Sequence, residues 1–191
     1  GIATSIGHAP VNGLINPAAG ARNAVAEALT NLVWAPLEKG IRSVSLSANW
    51  MWPCRNEGED ARLYAAVQAI SDFSIDLGIN IPTGKDSLSM KQKYKGDEVL
   101  APGTVVISSA GVCDNIRGVV EPVLQKQAGP IYYLNLSQDG FKLGGSSFAQ
   151  VRNKIGAEAP DILNAGKMAA AFDALQALIK EGKIVAGHDV S

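Results

Sequence analysis

Apolar residues recur at helical spacing in two long stretches of the chain, residues 18–35 and 59–77. In each stretch they lie three, four or seven positions apart, which places them on one face of a helix. The second stretch is followed by Gly78, as expected for a helix with a glycine C-cap. The apolar stripes consist of Val25, Ala28, Leu29 and Leu32 in the first helix and of Leu63, Val67, Ile70 and Leu77 in the second.

Other stretches carry the patterns of strands. Residues 41–49 alternate apolar side chains with serines, and residues 104–112 are almost all apolar or small, as in a strand buried on both faces. A turn at Gly144 and Gly145 is predicted to open a helix that runs through Ile155. The remaining predicted elements are a short extended segment at 79–82, strands at about 90–94 and at 131–136, a helix at about 165–181 and a final strand from 184.

Helices and strands alternate along the whole chain, which predicts a layered fold of the α/β to α+β class. The segment 121–130 mixes Pro, Gln, Lys and Gly. We therefore expect a boundary there between two lobes, one covering residues 1–122 and the other covering residues 128–191.

Composition narrows the classes of function. The chain has 191 residues, with 17 Lys and Arg against 18 Asp and Glu and no run of like charges, which argues against nucleic-acid and membrane-surface partners. No apolar stretch approaches the roughly 18 residues of a membrane span. Cys54 and Cys113 belong to no metal motif and are predicted to be buried free thiols of a cytoplasmic protein. Because the chain opens at Gly1 without an initiator methionine, we expect a piece of a larger protein.

A first candidate site lies on the first helix. Glu27 and Asn31 are four residues apart, so both side chains project from one helical face, opposite the apolar stripe. Carboxylate and amide oxygens suit a hard cation such as Mg²⁺. A solvated helix face explains the same spacing, so the pair alone leaves both interpretations open.

A second candidate is the Gly-Lys-Asp-Ser string at 84–87, which offers a close backbone approach and hydrogen-bond donors for a phosphate. The string is not a P-loop, because that motif requires a glycine at the position of Ile79 and Ser or Thr at the position of Asp86. A plain surface turn remains the alternative for this loop.

The third candidate is the His-Asp-Val-Ser string at 188–191, which follows an apolar segment, and ligands in open α/β sheets bind beyond strand ends. A Ser-His-Asp hydrolase is not indicated, because the chain lacks a GxSxG elbow. Neighbouring side chains of a strand also point to opposite faces, so His188 and Asp189 are not expected to orient one another. Asp189 as a metal ligand, with Ser191 on the same face reaching a nucleotide, is geometrically simpler.

Several strings stand out in order along the chain. They are Glu-Ala-Leu-Thr-Asn at 27–31, Ser-Ala-Asn-Trp-Met at 47–51, Gly-Glu-Asp-Ala at 58–61, Gly-Lys-Asp-Ser-Leu-Ser-Met at 84–90, Pro-Gly-Thr at 102–104 and His-Asp-Val-Ser at 188–191. In order and spacing they resemble the phosphoribosylformylglycinamidine synthase family, the glutamine-dependent amidotransferases of purine synthesis, in their long single-chain form. The resemblance covers nearly the whole chain.

The resemblance implies a fragment of the second of two halves that are similar to aminoimidazole ribonucleotide synthetase. It implies a lobe with a barrel-forming sheet plus helices, followed by part of a second α/β lobe. The family uses ATP and ammonia released from glutamine to convert formylglycinamide ribonucleotide to formylglycinamidine ribonucleotide. The partners implied are a small-molecule substrate and the remainder of the enzyme, namely the first synthetase half and a glutaminase domain. That separate domain carries the glutaminase cysteine, so neither Cys54 nor Cys113 inherits its role.

The resemblance also implies site residues. Glu27, Asn31 and Asp189 are expected to be ligands of Mg²⁺ bound with ATP or ADP, and Ser191 is expected to contact that nucleotide. A further aspartate ligand of the family lies upstream of Gly1. In the family this second-half site is an auxiliary, structural ADP site, so no catalytic residue is assigned to this chain.

For the 84–87 loop, the resemblance implies that Gly84 lies near the nucleotide and that Lys85 and Ser87 lie near the substrate. Lys85 is not a metal ligand, because an ammonium group has no free lone pair. Two alternatives remain for the whole chain. It could be a non-catalytic structural or nucleotide-binding half of that enzyme, or part of another ATP-using relative such as aminoimidazole ribonucleotide synthetase, which the Asn-Trp-Met string at 49–51 disfavours.

Overall fold

The structure is a computed structural model that describes residues 1–126, 129–137 and 139–190. The strands are β1 (Ile2–His8), β2 (Val44–Met51), β3 (Asn80–Ser87), β4 (Lys91–Lys93), β5 (Glu98–Leu100) and β6 (Thr104–Val112). The helices are α1 (Pro10–Ile15), α2 (Pro17–Leu32), α3 (Glu59–Leu77), α4 (Ser147–Val151) and α5 (Ala165–Lys180), with short 3-10 helices at Gly40–Ser43 and Ile116–Gly118.

Four strands form one mixed sheet in the order β1-β6-β2-β3. Strand β6 runs antiparallel to both β1 and β2, and β3 runs parallel to β2. Strands β4 and β5 form a separate antiparallel hairpin. The predicted α/β architecture is therefore confirmed. Within the described ranges the sheet is open, with β1 and β3 at its two edges, so the expected barrel is not closed by these strands.

One face of the sheet carries the core. Alternate residues of β2 and β6, such as Leu46 and Ile107, are buried, and helices α2 and α3 belong to the same core cluster. The prediction that 104–112 is buried on both faces is wrong, because Ser108 and Val112 lie exposed on the opposite face. The described helices cover one face of the sheet only, so the small and apolar residues of β6 reflect close packing on that side.

Helix α2 confirms the first predicted helix and packs tightly against β1. Asn16 caps it by accepting a hydrogen bond from the Ala19 backbone N–H at 3.1 Å. Its apolar stripe, including Leu29, is fully buried. A Cβ on Gly7 would lie 2.2 Å from the carbonyl oxygen of Ala24, so only glycine allows this approach of strand and helix.

Helix α3 confirms the second predicted helix at both ends. Gly78 follows it in a left-handed conformation with φ of 70°, and its backbone N–H returns to the carbonyl groups of Ile75 and Ser74. Helix α5, the predicted helix at 165–181, packs against α3 and inserts Met168 and Phe172 into the core. The C-terminal part of the chain therefore shares the apolar core of the N-terminal part.

Several predicted elements are wrong. Neither 131–136 nor the stretch from 184 to 190 is a strand, and the helix predicted through Ile155 is confined to α4. A strand requires a hydrogen-bonded neighbour, and none of the described strands pairs with these two segments. Strand β1 and helix α1 are not among the predicted elements, because the opening segment is rich in Gly, Pro and Asn, which favour turns and irregular structure.

Candidate functional site

Glu27 and Asn31 lie at the outer edge of the sheet, where α2 crosses β1. The Glu27 Oε2 atom accepts a hydrogen bond from the backbone N–H of His8 at 2.7 Å. The Asn31 Nδ2 atom donates to the carbonyl oxygen of Ile6 at 3.3 Å. Among the described strands β1 pairs only with β6, so the two side chains satisfy backbone groups on the strand's other side. The shared helical face predicted from their spacing is present.

These contacts are compatible with cation binding. The His8 N–H holds the Glu27 carboxylate in one orientation, as second-shell donors do around metal sites. Asn31 makes its hydrogen bond to the Ile6 carbonyl oxygen through the amide nitrogen, and the amide oxygen takes no part in that bond. In the part of the chain that the structure describes, no group of three or more His, Cys, Asp or Glu side chains is placed to hold a metal. The pair therefore requires oxygen ligands from elsewhere to complete a Mg²⁺ shell.

Asp189 lies on the C-terminal segment, with a side chain that is only 8% exposed. The His188 ring is 70% exposed, and its Nδ1 atom lies 3.1 Å from Asp189 Oδ1. The hydrogen bond of the ring is to the backbone carbonyl oxygen of Asp189 at 2.6 Å. The expectation that the two side chains point to opposite faces is not met. It assumed a strand, and the segment from 184 to 190 is not one, so adjacent side chains are not forced to opposite faces. Ser191 lies outside the described residues.

The C-terminal segment crosses the end of α2 at Trp34. A Cβ on Gly187 would lie 2.0 Å from an atom of the Trp34 ring, so the glycine backbone lies directly on the indole. Asp189 follows two residues later, and Asn31 precedes Trp34 by three residues. The predicted metal ligands are thus attached to two segments that meet at this contact.

The Gly-Lys-Asp-Ser string at 84–87 is the end of strand β3, not a loop. Gly84 pairs with Ala48, and a Cβ at Gly84 would lie 2.3 Å from the Ala48 carbonyl oxygen. Lys85 is exposed, and its ammonium group donates to the backbone carbonyl oxygen of Asp86 and lies 3.4 Å from Ser87 Oγ. Lys85 and Ser87 share the sheet face that the helices leave open, because alternate strand residues point to the same side.

The two cysteines are free, as predicted. Cys113 is buried, as predicted, whereas Cys54 is only half-buried, so the prediction of burial is wrong for Cys54. Burial, together with the carboxylates of Asp60, Glu59 and Asp86, raises the pKa of the Cys54 thiol above its ordinary value. A raised pKa lowers the thiolate fraction at neutral pH, which does not suit a nucleophile.

One basic cleft was not predicted. It has a volume of about 360 Å³ and lies around α4, with Lys142, Arg152 and Lys154 among its lining residues. The guanidinium carbon of Arg152 lies 5.6 Å from the centre of the Phe148 ring. The three cations are spread over 142–154 between uncharged residues, so no run of charge marks them in the sequence. No helix in the described ranges is long and apolar enough to cross a membrane.

Known proteins are similar to this chain over its whole length. The probable phosphoribosylformylglycinamidine synthase, chloroplastic/mitochondrial, of Arabidopsis thaliana is 44% identical over 193 residues, which cover 100% of this chain and 14% of that protein. The phosphoribosylformylglycinamidine synthase of Homo sapiens is 41% identical, again over 100% of this chain and 14% of that protein. This chain therefore spans about 14% of the length of these relatives.

Solved structures share the fold. T. maritima PurL complexed with FGAR superposes with a TM-score of 0.68 over 99% of this chain and 29% of that chain, at 13% identity. T. maritima PurL complexed with AMPPCP gives a TM-score of 0.62 over 99% of this chain and 26% of that chain, at 12% identity. Residues 1–112, from the N-terminus to the end of β6, match the family described as the FGAR-AT PurM_N-like domain. Because this match covers more than half of the 191 residues, the chain belongs to the FGAR-AT PurM_N-like domain family.

Proposed function

We propose that this chain is part of a phosphoribosylformylglycinamidine synthase. The full enzyme would convert formylglycinamide ribonucleotide to formylglycinamidine ribonucleotide in purine biosynthesis, using ATP and ammonia from glutamine. The observation that carries this proposal is 44% identity to a named synthase across the entire chain. The rest of the enzyme, including the first synthetase half and the glutaminase domain, would be the principal partner. Its proposed location is the cytoplasm, although the Arabidopsis relative is named as chloroplastic/mitochondrial.

Within that enzyme, this chain would supply oxygen ligands for Mg²⁺ bound with ATP or ADP. We propose Glu27, Asn31 and Asp189 as ligands and Ser191 as a nucleotide contact. Their carboxylate and amide oxygens fit the preference of this cation. The hydrogen bond from His8 would hold the Glu27 carboxylate ready for binding, and the low exposure of Asp189 would restrict its rotamers. Bound Mg²⁺ would bridge phosphate oxygens and offset their charge.

The outer part of β3 is proposed to face the small molecules. Lys85 and Ser87 lie on the open face of the sheet and would approach the substrate from there. Gly84 is proposed to lie near the nucleotide. Its missing side chain makes room for the Ala48 carbonyl oxygen, which occupies the place that a Cβ would take. The bond between Lys85 and the Asp86 carbonyl group would have to open for Lys85 to reach a phosphate.

The proposed architecture has two lobes. Residues 1–122 would form the barrel-forming lobe, and residues 128–191 would begin a second α/β lobe. Support for the barrel comes from the outer face of the open sheet, where Ile2, Ile6 and Val112 are exposed. Such an apolar face on a sheet gains stability when another sheet covers it, and the related half of the same enzyme is the proposed cover.

A second candidate function is a non-catalytic brace for the catalytic half. The contacts of Glu27 and Asn31 with the edge of β1 favour it, since they already give both side chains a structural task. In this alternative Glu27 and Asn31 would hold no metal, and the chain would act as a structural or nucleotide-binding half of the enzyme.

The deciding experiment uses the intact enzyme that contains this chain. Glu27→Gln keeps an oxygen that can accept the His8 N–H but removes the charge, and Asp189→Asn does the same for the C-terminal segment. We expect each variant to bind Mg²⁺-ADP about tenfold or more weakly in equilibrium dialysis, because a carboxylate ligand is lost. Glu57→Gln, at an exposed position of the same chain, is the matched control.

Unchanged Mg²⁺-ADP binding in both ligand variants would favour the brace over the metal site. The enzyme assignment has its own assay, in which the intact wild-type protein is given formylglycinamide ribonucleotide, ATP and glutamine. We expect phosphate release that depends on the ribonucleotide. A protein that is folded and binds ATP but releases no phosphate with this substrate would contradict the assignment.

A further inference from the structure

We propose that Trp34 is a positioning residue that seats Gly187 and thereby holds Asp189 at the end of α2. The inference rests on the proposed Mg²⁺-nucleotide site. It adds a residue that is not itself a ligand but keeps one of the proposed ligands in place. Trp34 would contact neither the cation nor the nucleotide. It would act through the backbone of the segment that carries Asp189.

The contact between the two residues leaves no space for a side chain. A Cβ built on Gly187 would lie 2.0, 2.4 and 2.6 Å from three carbon atoms of the Trp34 ring. Real Cβ atoms do not approach carbon so closely, and here the obstacle is a rigid ring in place of a flexible side-chain end. The backbone of Gly187 is further tied by its N–H, which donates to the carbonyl oxygen of Glu121 at 3.2 Å.

The indole itself stands on a turn that is fixed from two sides. The Trp34 carbonyl oxygen accepts a hydrogen bond from the Val120 N–H at 2.9 Å. The carbonyl oxygens of its two neighbours, Val33 and Ala35, accept hydrogen bonds from Gln176 Nε2 at 2.6 and 2.8 Å. Because Gln176 is only 3% exposed, water cannot easily replace these bonds. The ring therefore provides a rigid surface for Gly187.

This surface connects the proposed ligands. Asn31 precedes Trp34 by three residues, close to one helical turn, and Asp189 follows Gly187 by two residues. Between them the His188 ring points to solvent, while the Asp189 side chain is largely covered. Lifting Gly187 from the indole would move the backbone of Asp189 away from α2. The Trp34–Gly187 contact thus determines how closely the last ligand approaches the first two.

The test uses Gly187→Ala in the intact enzyme, where the added methyl group must displace the segment from the ring. We expect Mg²⁺-ADP affinity to fall about tenfold or more, as for other residues that orient ligands. We also expect faster amide hydrogen exchange in the peptide that covers 185–190, in the absence of metal and nucleotide. Gly129→Ala is the control, because a Cβ there meets nothing within 4 Å.

A compensating variant separates positioning from general damage. Trp34→Leu replaces the ring with a smaller side chain, so the double variant Trp34→Leu/Gly187→Ala has room for the methyl group. We expect the double variant to recover a large part of the affinity lost in Gly187→Ala, and the exchange at 185–190 to slow again. If Gly187→Ala lowers the thermal midpoint without changing affinity or exchange, or if the double variant restores neither, the proposal is wrong.

The same variants separate a failure of the positioning role from a failure of the proposed metal site. If Glu27→Gln and Asp189→Asn weaken binding while Gly187→Ala does not, the site stands and the positioning role fails. If none of the three variants changes binding, the metal site itself fails and the positioning role fails with it. Should Gly187→Ala not fold, Trp34→Leu alone must weaken binding without a loss of secondary structure for the proposal to stand.

Discussion

At the scale of single residues, Glu27 has an observed structural contact, the hydrogen bond from the His8 N–H, and a proposed role as a metal ligand. Its position relative to Asn31 could be predicted, because spacing along a helix determines which residues share a face. Its contact with His8 could not be predicted, since it depends on where β1 enters the sheet. Cys54 is similar in this respect. The sequence shows a lone cysteine, whereas the carboxylates that raise the pKa of its thiol are brought to it by the fold.

We predict that Cys54 reacts slowly with iodoacetamide at pH 7.5, because its raised pKa leaves little thiolate. The rate should rise with pH and reach half its maximum above the ordinary thiol pKa. Asp60→Asn removes one of the carboxylates that oppose ionisation, so the pKa should fall and the rate at pH 7.5 should increase by about two- to threefold.

The measurement is alkylation of the native protein followed by mass spectrometry of the peptide that contains Cys54. Buried Cys113 provides an unreactive internal reference. Glu57 lies close to Cys54 in the sequence, but its carboxylate is not one of those that raise the pKa of the Cys54 thiol. Glu57→Gln should therefore leave the alkylation rate unchanged. Fast alkylation of the wild type at pH 7.5 would contradict the prediction, because a larger fraction of the Cys54 thiol would be ionised than its burial and the neighbouring carboxylates allow.

At the scale of elements, helix α5 joins the C-terminal part of the chain to the turn that follows α2. Gln176 accepts a hydrogen bond from the Leu37 N–H at 2.7 Å and donates to two carbonyl oxygens of the same turn. Asp173 accepts from the Ile41 N–H at 3.0 Å. The helix itself is predicted from its own stretch of sequence, but this attachment could not be predicted, because its partners lie far away in the sequence. The predictions of strands at 131–136 and from 184 are wrong for the same reason, because the pattern of a segment does not show whether another strand pairs with it.

We predict that Gln176→Leu lowers the free energy of unfolding by about 2–4 kcal/mol. The side-chain volume changes little, but one backbone N–H and two carbonyl groups are left buried without their partner. Each such group costs about 1–3 kcal/mol, and partial relaxation of the structure around the site lowers the total. Urea denaturation followed by circular dichroism measures the change. Gln68→Leu on α3, where the side chain is exposed, should change stability by less than about 0.5 kcal/mol. Equal effects at both positions would contradict a special role for the buried amide.

At the scale of the whole molecule, the sheet is covered by helices on one face and open on the other. The open face carries small polar residues together with Ile2, Ile6 and Val112. The proposed barrel would bury this face against the related half of the enzyme. The basic cleft around α4 also depends on the tertiary structure. Its cations come together only when 142–158 folds back on itself.

We predict that Ile6→Asp destabilises the intact enzyme, because the charge would have to be buried between two sheets. Ile6 is 57% exposed in this chain, so the substitution removes little packing within it. The midpoint of thermal unfolding should fall by several degrees, and limited proteolysis between the halves should accelerate. Ile75→Asp, on the outer surface of α3 and 71% exposed, is the control and should have little effect. A similar midpoint for both variants would contradict the barrel.

The sequence by itself determined the elements whose information is local. Helices α2, α3 and α5 and strand β6 follow from apolar spacing and caps within one stretch, and the family resemblance follows from short strings of residues. Only the tertiary structure decided which strands pair, which face of the sheet is covered and what surrounds each candidate ligand. The physical reason is that hydrogen-bond partners and burial depend on segments far apart in the chain. The β1 edge under Glu27 and the Trp34 ring under Gly187 are contacts of this kind.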